Sequence, residues 1–273
     1  MHHEPTDTLG HDTTRRVGML TPSSNTVLEP YTAAMFAPFG AQGSVHFGRF
    51  KVVEISLSAA SLGQFEDGPI TDAAERLAEA QTHCIAWNGT SAAWLGLDRD
   101  RDLCARIARA TGVTATSTML GYDTLFRALG VRRLGLVTPY LSEIQDRIIA
   151  NFATQGIEIV ADRRLEDSGN FSFATYPAAQ VADLVRHVAD ARPDAIAVVC
   201  TNFRGAPAAA DLERETGIPV YDSVAVTAAL TMRAVGLDPA RVTGWGSVFA
   251  IAAGLSDAQL CAALPKPAPQ TTP

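Results

Sequence analysis

The chain carries one pattern of residues twice, in the same order in each half. Arg16–Pro22 reads Arg-Val-Gly-Met-Leu-Thr-Pro, and Arg133–Pro139 reads Arg-Leu-Gly-Leu-Val-Thr-Pro. Each match alone is weak, because many α/β proteins contain a strand, a glycine and a helix in succession. Three matches in one order indicate a duplicated fold. The two further pairs are Gly112–Ser117 with Gly217–Ser223, and Leu125–Gly130 with Thr231–Gly236.

Short β-rich runs alternate with helix-like segments from Arg16 onward. This alternation is typical of parallel sheets covered by helices, so the predicted fold class is α/β. The predicted strands are Val17–Leu20, His46–Val53, Ile85–Trp87, Thr114–Thr116, Leu134–Val137, Ile157–Ala161, Ala195–Val199 and Val220–Tyr221. The predicted helices are Asn25–Ala37, Thr71–His83, Arg99–Ala110, Met119–Leu129, Ser142–Gln155, Ala178–Ala191, Ala206–Glu215 and Val224–Val235.

The repeat also predicts where the two halves divide. We expect residues 16–117 together with 224–254 to form the first α/β half, and residues 118–223 to form the second. Residues 1–15 are polar, and residues 265–273 contain four prolines. Both ends are therefore expected to be disordered tails.

Composition disfavours several classes of protein. A formal net charge of −7 argues against nucleic-acid and membrane-surface partners, because both attract basic patches. No apolar run approaches the roughly 20 residues of a membrane span. The four cysteines are far apart and no secretory leader is recognised, so we expect a reduced, cytoplasmic protein. The sequence shows no Walker loop, no Gly-x-Gly-x-x-Gly and no metal-ligand spacing, so neither cofactor nor metal is predicted.

Duplicated doubly wound sheets bind ligands beyond the carboxyl ends of their strands. The loops at those ends are Thr21–Thr26, Asn88–Trp94, Thr138–Ser142 and Cys200–Gly205. We expect all four loops to meet in one cleft between the halves.

Two of these loops hold equivalent places in the repeat but differ in chemistry. Ile85–Ser91 ends in Gly-Thr-Ser and Ile196–Asn202 ends in Cys-Thr-Asn, so Gly89 is expected to face Cys200 across the cleft. A cysteine at a strand end is often an inert buried thiol, yet the position equally suits a catalytic one. A thiol opposite a bare glycine favours delivery of a proton to one face of a substrate.

The remaining loop residues supply hydrogen-bond donors. Thr90 and Ser91 beside Gly89 suit the stabilisation of developing negative charge, and the Tyr140 phenol is placed to join them. The predicted catalytic residues are Thr90, Ser91, Tyr140 and Cys200. The residues that open the first helix suit an anion but are equally ordinary N-caps. The predicted substrate-binding residues are Pro22, Ser23, Ser24, Asn25, Gly89, Asn170, Thr201 and Asn202.

These motifs resemble the aspartate/glutamate racemase superfamily, particularly its maleate isomerase and arylmalonate decarboxylase branches. Val17–Thr26 looks like the opening of maleate isomerases, which implies that Asn25 binds a carboxylate. Val137–Tyr140 resembles the segment that supplies their site tyrosine. Asp167–Asn170 resembles the loop that supplies a second carboxylate-binding asparagine, here Asn170.

The two branches differ at the positions of the glycine and the cysteine. Val199–Asn202 resembles the segment of the second catalytic cysteine, here Cys200. Isomerases and racemases of the superfamily carry a first cysteine where this chain has Gly89, whereas arylmalonate decarboxylases carry Gly-Thr-Ser there, as this chain does. Thr116–Arg133 also resembles the decarboxylases, but Thr-Asn after the cysteine departs from their Gly-Gly.

The resemblance implies two Rossmann-like (flavodoxin-like) halves with parallel four-stranded sheets, related by pseudo-two-fold symmetry around an active-site cleft. The leading hypothesis is a cofactor-independent decarboxylase of a substituted malonate-type acid, whose enediolate is held by the Gly-Thr-Ser and Tyr140 donors and protonated by Cys200. The alternatives are a maleate isomerase-like or racemase-like enzyme of a small carboxylate or dicarboxylate, and a non-catalytic cytoplasmic carboxylate-binding protein. The substrate side chain, the stereochemical outcome, the oligomeric state and the role of Arg204 stay open.

Overall fold

The structure is a computed structural model that describes residues 13–52, 54–55, 57, 67–261 and 264. The predicted disordered tails, 1–15 and 265–273, lie outside these residues except at 13–15, where the first strand begins at Arg15. Val53, the predicted end of the second strand, also lies outside them.

Each half of the chain forms one parallel four-stranded sheet. The strands are β1 (Arg15–Pro22), β2 (Gly43–Phe50), β3 (Cys84–Trp87), β4 (Thr114–Ser117), β5 (Arg133–Val137), β6 (Glu158–Arg163), β7 (Ala195–Val198) and β8 (Val220–Asp222). Their order is β2-β1-β3-β4 in the first sheet and β6-β5-β7-β8 in the second. All neighbouring strands are parallel, and the two orders are identical. The predicted pair of similar α/β halves is confirmed.

This strand order fixes where a ligand can bind. β1 pairs with β2 on one side and with β3 on the other, so the sheet grows in opposite directions from β1. Doubly wound sheets bind ligands in the crevice at such a switch point, beyond the carboxyl ends of the strands. β5 and β7 are the equivalent pair of the second sheet. β3 and β7 are buried along their whole length, as expected for central strands covered on both faces.

Helices cover both sheets. They are α1 (Leu28–Phe36), α2 (Asp67–Glu79), α3 (Ala92–Leu95), α4 (Leu97–Thr111), α5 (Thr118–Leu129), α6 (Ser142–Thr154), α7 (Ala178–Ala189), α8 (Ala209–Thr216), α9 (Ser223–Ala234), α10 (Val248–Gly254) and α11 (Asp257–Cys261). Short 3₁₀ turns span Ala37–Gln42, Ser172–Thr175, Ala206–Ala208 and Pro239–Arg241. All eight predicted helices are present, whereas α3, α10 and α11 are absent from the sequence-based prediction. Within the described residues, no helix is long and apolar enough to cross a bilayer.

Local signals account for the helix boundaries that differ from the prediction. The first helix begins at Leu28 and not at Asn25, because the Asn25 side chain accepts from the N–H groups of Val27 and Leu28 and so precedes the first turn. α2 ends before the predicted His83, since Gln81 adopts a left-handed conformation with φ of 53°. The predicted helix Ala206–Glu215 is divided into a 3₁₀ turn and α8.

Two helices, one following each sheet, link the two halves. α5 follows the first sheet, yet the Tyr122 hydroxyl lies 3.0 Å from Val198 O and 2.9 Å from Tyr221 O of the second sheet. α9 follows the second sheet but packs against α1 and β3 of the first. The hydroxyls of Thr118 and Thr227 join the two helices at 2.8 Å. On this packing we propose that the halves divide as the repeat predicts, after residue 117 and again after residue 223.

Candidate active site

One cavity lies where the carboxyl ends of β1, β3, β5 and β7 meet, and it is called the cleft cavity below. Its walls contain the predicted site residues Pro22, Gly89, Thr90, Ser91, Tyr140, Asn170, Cys200 and Thr201, together with Val52, Ile55, Trp87 and Trp94. The open space is about 20 Å³, which is room for about one water molecule. Two larger hollows of about 290 and 270 Å³ share Arg127, and the first reaches the amino ends of β5 and β6. They lie away from the strand ends that bind ligands in such folds.

The Cys200 thiol sits two residues beyond β7 and is 3% exposed. Its backbone N–H donates to Ser223 Oγ at 3.1 Å, and its sulfur accepts from the Asn202 N–H at 3.4 Å. Burial raises the pKa of the thiol to about 12, although the Tyr140 hydroxyl and the Asn202 N–H oppose this rise. The thiol is therefore protonated at neutral pH, and the same two donors face the sulfur where charge develops when the proton leaves.

A donor pair stands beside the thiol. Thr90 Oγ1 and the Tyr140 hydroxyl lie 2.7 Å apart, one from each half of the molecule. The Tyr140 ring is fixed edge-on between Trp94, at a centroid distance of 5.3 Å, and Phe173, at 5.5 Å. Burial raises the pKa of Tyr140 well above its ordinary value, so the phenol keeps its proton. Each hydroxyl has one proton, and the bond between the two uses one of them, so a negatively charged oxygen placed here can accept the other once it is turned toward that oxygen.

Three predicted binding residues converge on one backbone oxygen. Val52 O accepts from Ser24 Oγ at 2.7 Å and lies 3.4 Å from both Ser23 Oγ and Asn170 Nδ2. Asn170 Nδ2 also donates to Ser24 Oγ at 2.9 Å. Ser23, Ser24 and Asn170 therefore direct their donors at one point, which the Val52 carbonyl oxygen occupies.

Asn25 and Asn202 lie behind the cavity wall and join the two halves. Asn25 Nδ2 donates to Thr201 Oγ1 at 3.2 Å. Asn202 Oδ1 accepts from the N–H groups of Thr26 at 2.9 Å and Val27 at 3.2 Å, and its amide nitrogen donates to the Asn170 carbonyl at 2.5 Å. Their side chains are thus used for caps and cross-links, and direct contact with substrate stays a prediction for both.

The role of Arg204, open in the sequence, is clear in the structure. Its Nε donates to Ala174 O at 2.8 Å, so the guanidinium fastens the Ser172–Thr175 turn. Phe203 is fully buried against Tyr176, with ring centroids 6.2 Å apart, and is a core residue. Neither side chain lines the cleft cavity.

The wall opposite Cys200 is not bare, contrary to what the sequence predicts. A Cβ atom built on Gly89 would lie 1.8 Å from Cζ2 of Trp87, so the indole covers the glycine. Trp87 is 1% exposed and packs on Phe50 at a centroid distance of 5.2 Å. Gly89 lies two residues beyond the end of β3, so the alternation of side chains along a strand does not predict this contact. The sequence gives no reason to place Val52 and Ile55 in the cavity, because they follow β2, which is an outer strand of the first sheet.

A buried carboxylate lies behind each side of the cavity. Burial raises the pKa of Asp100 to about 7, against the opposing effects of the Ser117 hydroxyl, the Arg99 charge and the Trp87 indole. Burial also raises the pKa of Asp222 to about 7, and its Oδ1 accepts from the Val224 N–H at 2.8 Å as the cap of α9. Among the described residues, no three His, Cys, Asp or Glu side chains are grouped to hold a metal ion.

Comparison with known proteins gives one consistent group of relatives. Maleate isomerase of Nocardia farcinica is 26% identical over 244 residues, covering 86% of this chain and 95% of that one. Arylmalonate decarboxylase of Bordetella bronchiseptica is 27% identical over 183 residues, covering 66% and 76%. The structure of the Nocardia farcinica maleate cis-trans isomerase bound to TRIS superposes with a TM-score of 0.78 at 25% identity, covering 86% of this chain and 97% of that one.

The model of the arylmalonate decarboxylase family matches residues 18–249, which include most of β1, the other seven strands and every residue that lines the cleft cavity. The chain therefore belongs to the arylmalonate decarboxylase family.

Proposed function

We propose that this protein is a cofactor-independent decarboxylase of malonate-type acids that protonates its product on one face through Cys200. The observation that carries the proposal is the asymmetry of the cleft cavity. One side presents a protonated thiol, and the other presents Gly89 covered by the Trp87 indole. General acid catalysis from a single side suits decarboxylation followed by protonation.

The reaction would use the donors in a fixed order. One carboxylate accepts from Thr90, Ser91 and Tyr140, and the second lies against the apolar walls. The bond to the second carboxylate breaks and releases CO₂, and its electron pair enters an enediolate whose charge the donors stabilise. The S–H bond of Cys200 then breaks as its proton moves to carbon. The thiolate, held by the Asn202 N–H, regains a proton from water.

The second candidate is a maleate isomerase-like reaction. It is favoured by the Nocardia farcinica relative and by the convergence of Asn170 and Ser24 on the Val52 carbonyl oxygen. A cysteine-to-serine mutant of that relative has a covalently bound succinylcysteine intermediate, so that enzyme uses covalent chemistry at a cysteine. Covalent addition at the alkene would need a nucleophile near Gly89, and Gly89 has no side chain, which ranks isomerisation second.

One experiment separates the two candidates. Purified protein is incubated with malonate, methylmalonate, phenylmalonate and maleate, and CO₂ release and ¹H NMR spectra are recorded. CO₂ release that is lost in Cys200→Ala supports the proposal. Fumarate from maleate without CO₂ release from any malonate overturns it in favour of isomerisation, and no change in any acid favours a carboxylate-binding protein.

A further inference from the structure

We propose that Ser223 and Tyr122 are positioning residues for the Cys200 thiol, because their hydroxyl groups hold the main chain from which the thiol projects. This inference rests on the proposed role of Cys200 as the proton donor, and it adds two residues that act through that cysteine. Neither Ser223 nor Tyr122 lines the cleft cavity, so contact with a substrate is not part of their role. Their effect on catalysis comes from the place and direction of the sulfur atom.

The first step is that the second sheet does not hold the backbone N–H of Cys200. β7 ends at Val198, and the pairing of β7 with β8 ends there too. Cys200 lies two residues further along, and its N–H donates to a side chain, Ser223 Oγ, at 3.1 Å. Ser223 is the first residue of α9. The direction of the thiol therefore depends on where this hydroxyl oxygen is held.

The second step is that the Ser223 hydroxyl is itself held in place. Ser223 Oγ lies 2.9 Å from Val198 O and 3.2 Å from the Tyr122 hydroxyl. The Tyr122 hydroxyl lies 2.9 Å from Tyr221 O and 3.0 Å from Val198 O. Each hydroxyl has one proton to donate and two lone pairs to accept with. With Ser223 donating to Val198 O and Tyr122 to a carbonyl, Ser223 Oγ keeps a lone pair for an N–H. The Cys200 N–H uses that lone pair.

The third step is that bulk water cannot take over these bonds. Ser223 and Tyr122 are fully buried, and Cys200 is nearly so. A buried N–H that loses its acceptor carries the full cost of its desolvation. Ser223→Ala therefore drives the Cys200 peptide to turn toward another acceptor, and the thiol moves with it. A displacement of a reacting group by roughly 1 Å can lower a rate about 100-fold.

Tyr122 makes the network depend on the connection between the halves. It lies in α5, which begins directly after β4 of the first sheet, whereas Cys200 follows β7 of the second. Its ring packs against Phe126 at a centroid distance of 5.4 Å, and Phe126 packs against Tyr221 at 6.2 Å. The phenol is thus fixed through both its ring and its hydroxyl. Tyr122 therefore holds Ser223 Oγ in place from the side of α5.

The test compares variants that delete one buried hydroxyl each. Ser223→Ala and Tyr122→Phe delete the two hydroxyls of the network. Tyr221→Phe is the matched control for the tyrosine, because its hydroxyl is buried and has no hydrogen-bond partner among the described residues. Thr231→Val is the matched control for the serine, because Thr231 is also buried in α9 and its hydroxyl bonds to carbonyl groups of that helix.

Two kinds of measurement separate positioning from binding. The kcat for CO₂ release is measured with malonate, methylmalonate or phenylmalonate, whichever reacts fastest, and the affinity for the corresponding product is measured by calorimetry. The second readout needs no turnover. Protein labelled with ¹⁵N at its four cysteines gives one amide signal for each, and Cys200→Ser identifies the signal of Cys200.

We expect Ser223→Ala to lower kcat roughly 100-fold and Tyr122→Phe roughly 10-fold, with product affinity within about twofold of the wild type. The Cys200 amide signal should move in both variants, and the two controls should leave kcat and this signal unchanged. A Ser223→Ala protein with the kcat of its control, or with an unmoved Cys200 signal, overturns the inference. A loss of product affinity as large as the loss of kcat does so too. If Ser223→Ala does not fold, Tyr122→Phe decides by the same readings.

The two proposals fail in different ways. If no malonate releases CO₂ with the wild type, decarboxylation is refuted, and the Cys200 amide signal still decides whether the two hydroxyls hold the main chain of Cys200. If CO₂ is released but kcat does not respond to Ser223→Ala and Tyr122→Phe, the decarboxylase stands and the positioning role is refuted.

Discussion

Gly89→Ala tests the contact between Gly89 and Trp87 with a single methyl group. Carbon atoms in contact normally lie about 3.5 to 4.0 Å apart, whereas the new Cβ would start 1.8 Å from the indole. The ring would have to retreat by roughly 2 Å into Phe50 and its surroundings. Gly89 does not have a positive φ, so backbone strain does not contribute.

The expected cost follows from overpacking. Such insertions destabilise cores by about 1 to 3 kcal/mol and occasionally more, and we expect Gly89→Ala to lower the free energy of unfolding by about 3 kcal/mol. In a Trp87→Leu background the same methyl group meets a smaller side chain, and its cost should fall to about 1 kcal/mol or less. The two substitutions should therefore show a coupling energy of about 2 kcal/mol.

The wild type, Gly89→Ala, Trp87→Leu and the double variant form a double-mutant cycle. Urea unfolding of these four proteins gives the coupling energy directly. Gly68→Ala is the matched control, because nothing lies within 4 Å of a Cβ built there and the residue lies in α2. It should leave stability unchanged or raise it slightly. A Gly89→Ala protein within about 0.5 kcal/mol of the wild type, or a coupling energy near zero, would refute the packing described here.

Three further outcomes follow from the same site. Tyr140→Phe should lower CO₂ release about 100-fold with little change in melting temperature, since it removes the hydroxyl that lies 2.7 Å from Thr90 Oγ1; an unchanged rate contradicts this. Asp100 has a pKa raised from 3.8 to about 7, so between these values the folded state keeps a proton that the unfolded state has lost, and wild-type stability falls as pH rises. The Asp100→Asn protein should not show this fall in stability. Its free energy of unfolding relative to the wild type, measured by urea titration, should therefore rise by up to roughly 4 kcal/mol between pH 4 and 8. Free energies of unfolding that change with pH in parallel in the two proteins would count against this. Asn202→Ala should cost about 2 kcal/mol by leaving the Thr26 N–H without its acceptor and the Asn170 carbonyl without its donor, and calorimetric melting within 1 °C of the wild type would disprove this.

The architecture could be predicted because each strand carries its own local signal. The matching segments that begin at Arg16 and Arg133 become β1 and β5, and both sheets have the same order. Cys200, Thr90 and Tyr140 could be placed near one another because parallel strands of the switch point end at one crevice. These inferences need only the succession of strands and loops along the chain, which the repeat reveals.

Side-chain packing across the cleft could not be read in the same way. The sequence indicates a bare wall at Gly89, but whether a neighbouring indole folds over it depends on Phe50 from another strand. Asn25 and Asn202 are residue types that suit a binding site. In the fold their side chains instead form hydrogen bonds that cap a helix and join the two halves, and these bonds depend on tertiary contacts. The contacts of Val52 with Asn170 likewise join residues far apart in the chain.

The central claim is that one thiol delivers the proton from one side. The most direct measurement is the decarboxylation of methylmalonate in D₂O, with analysis of the deuterium in the propionate formed. The account predicts one deuterium at the α carbon in a single configuration, and loss of CO₂ release in Cys200→Ala. Equal amounts of the two configurations, or undiminished CO₂ release by Cys200→Ala, would contradict it.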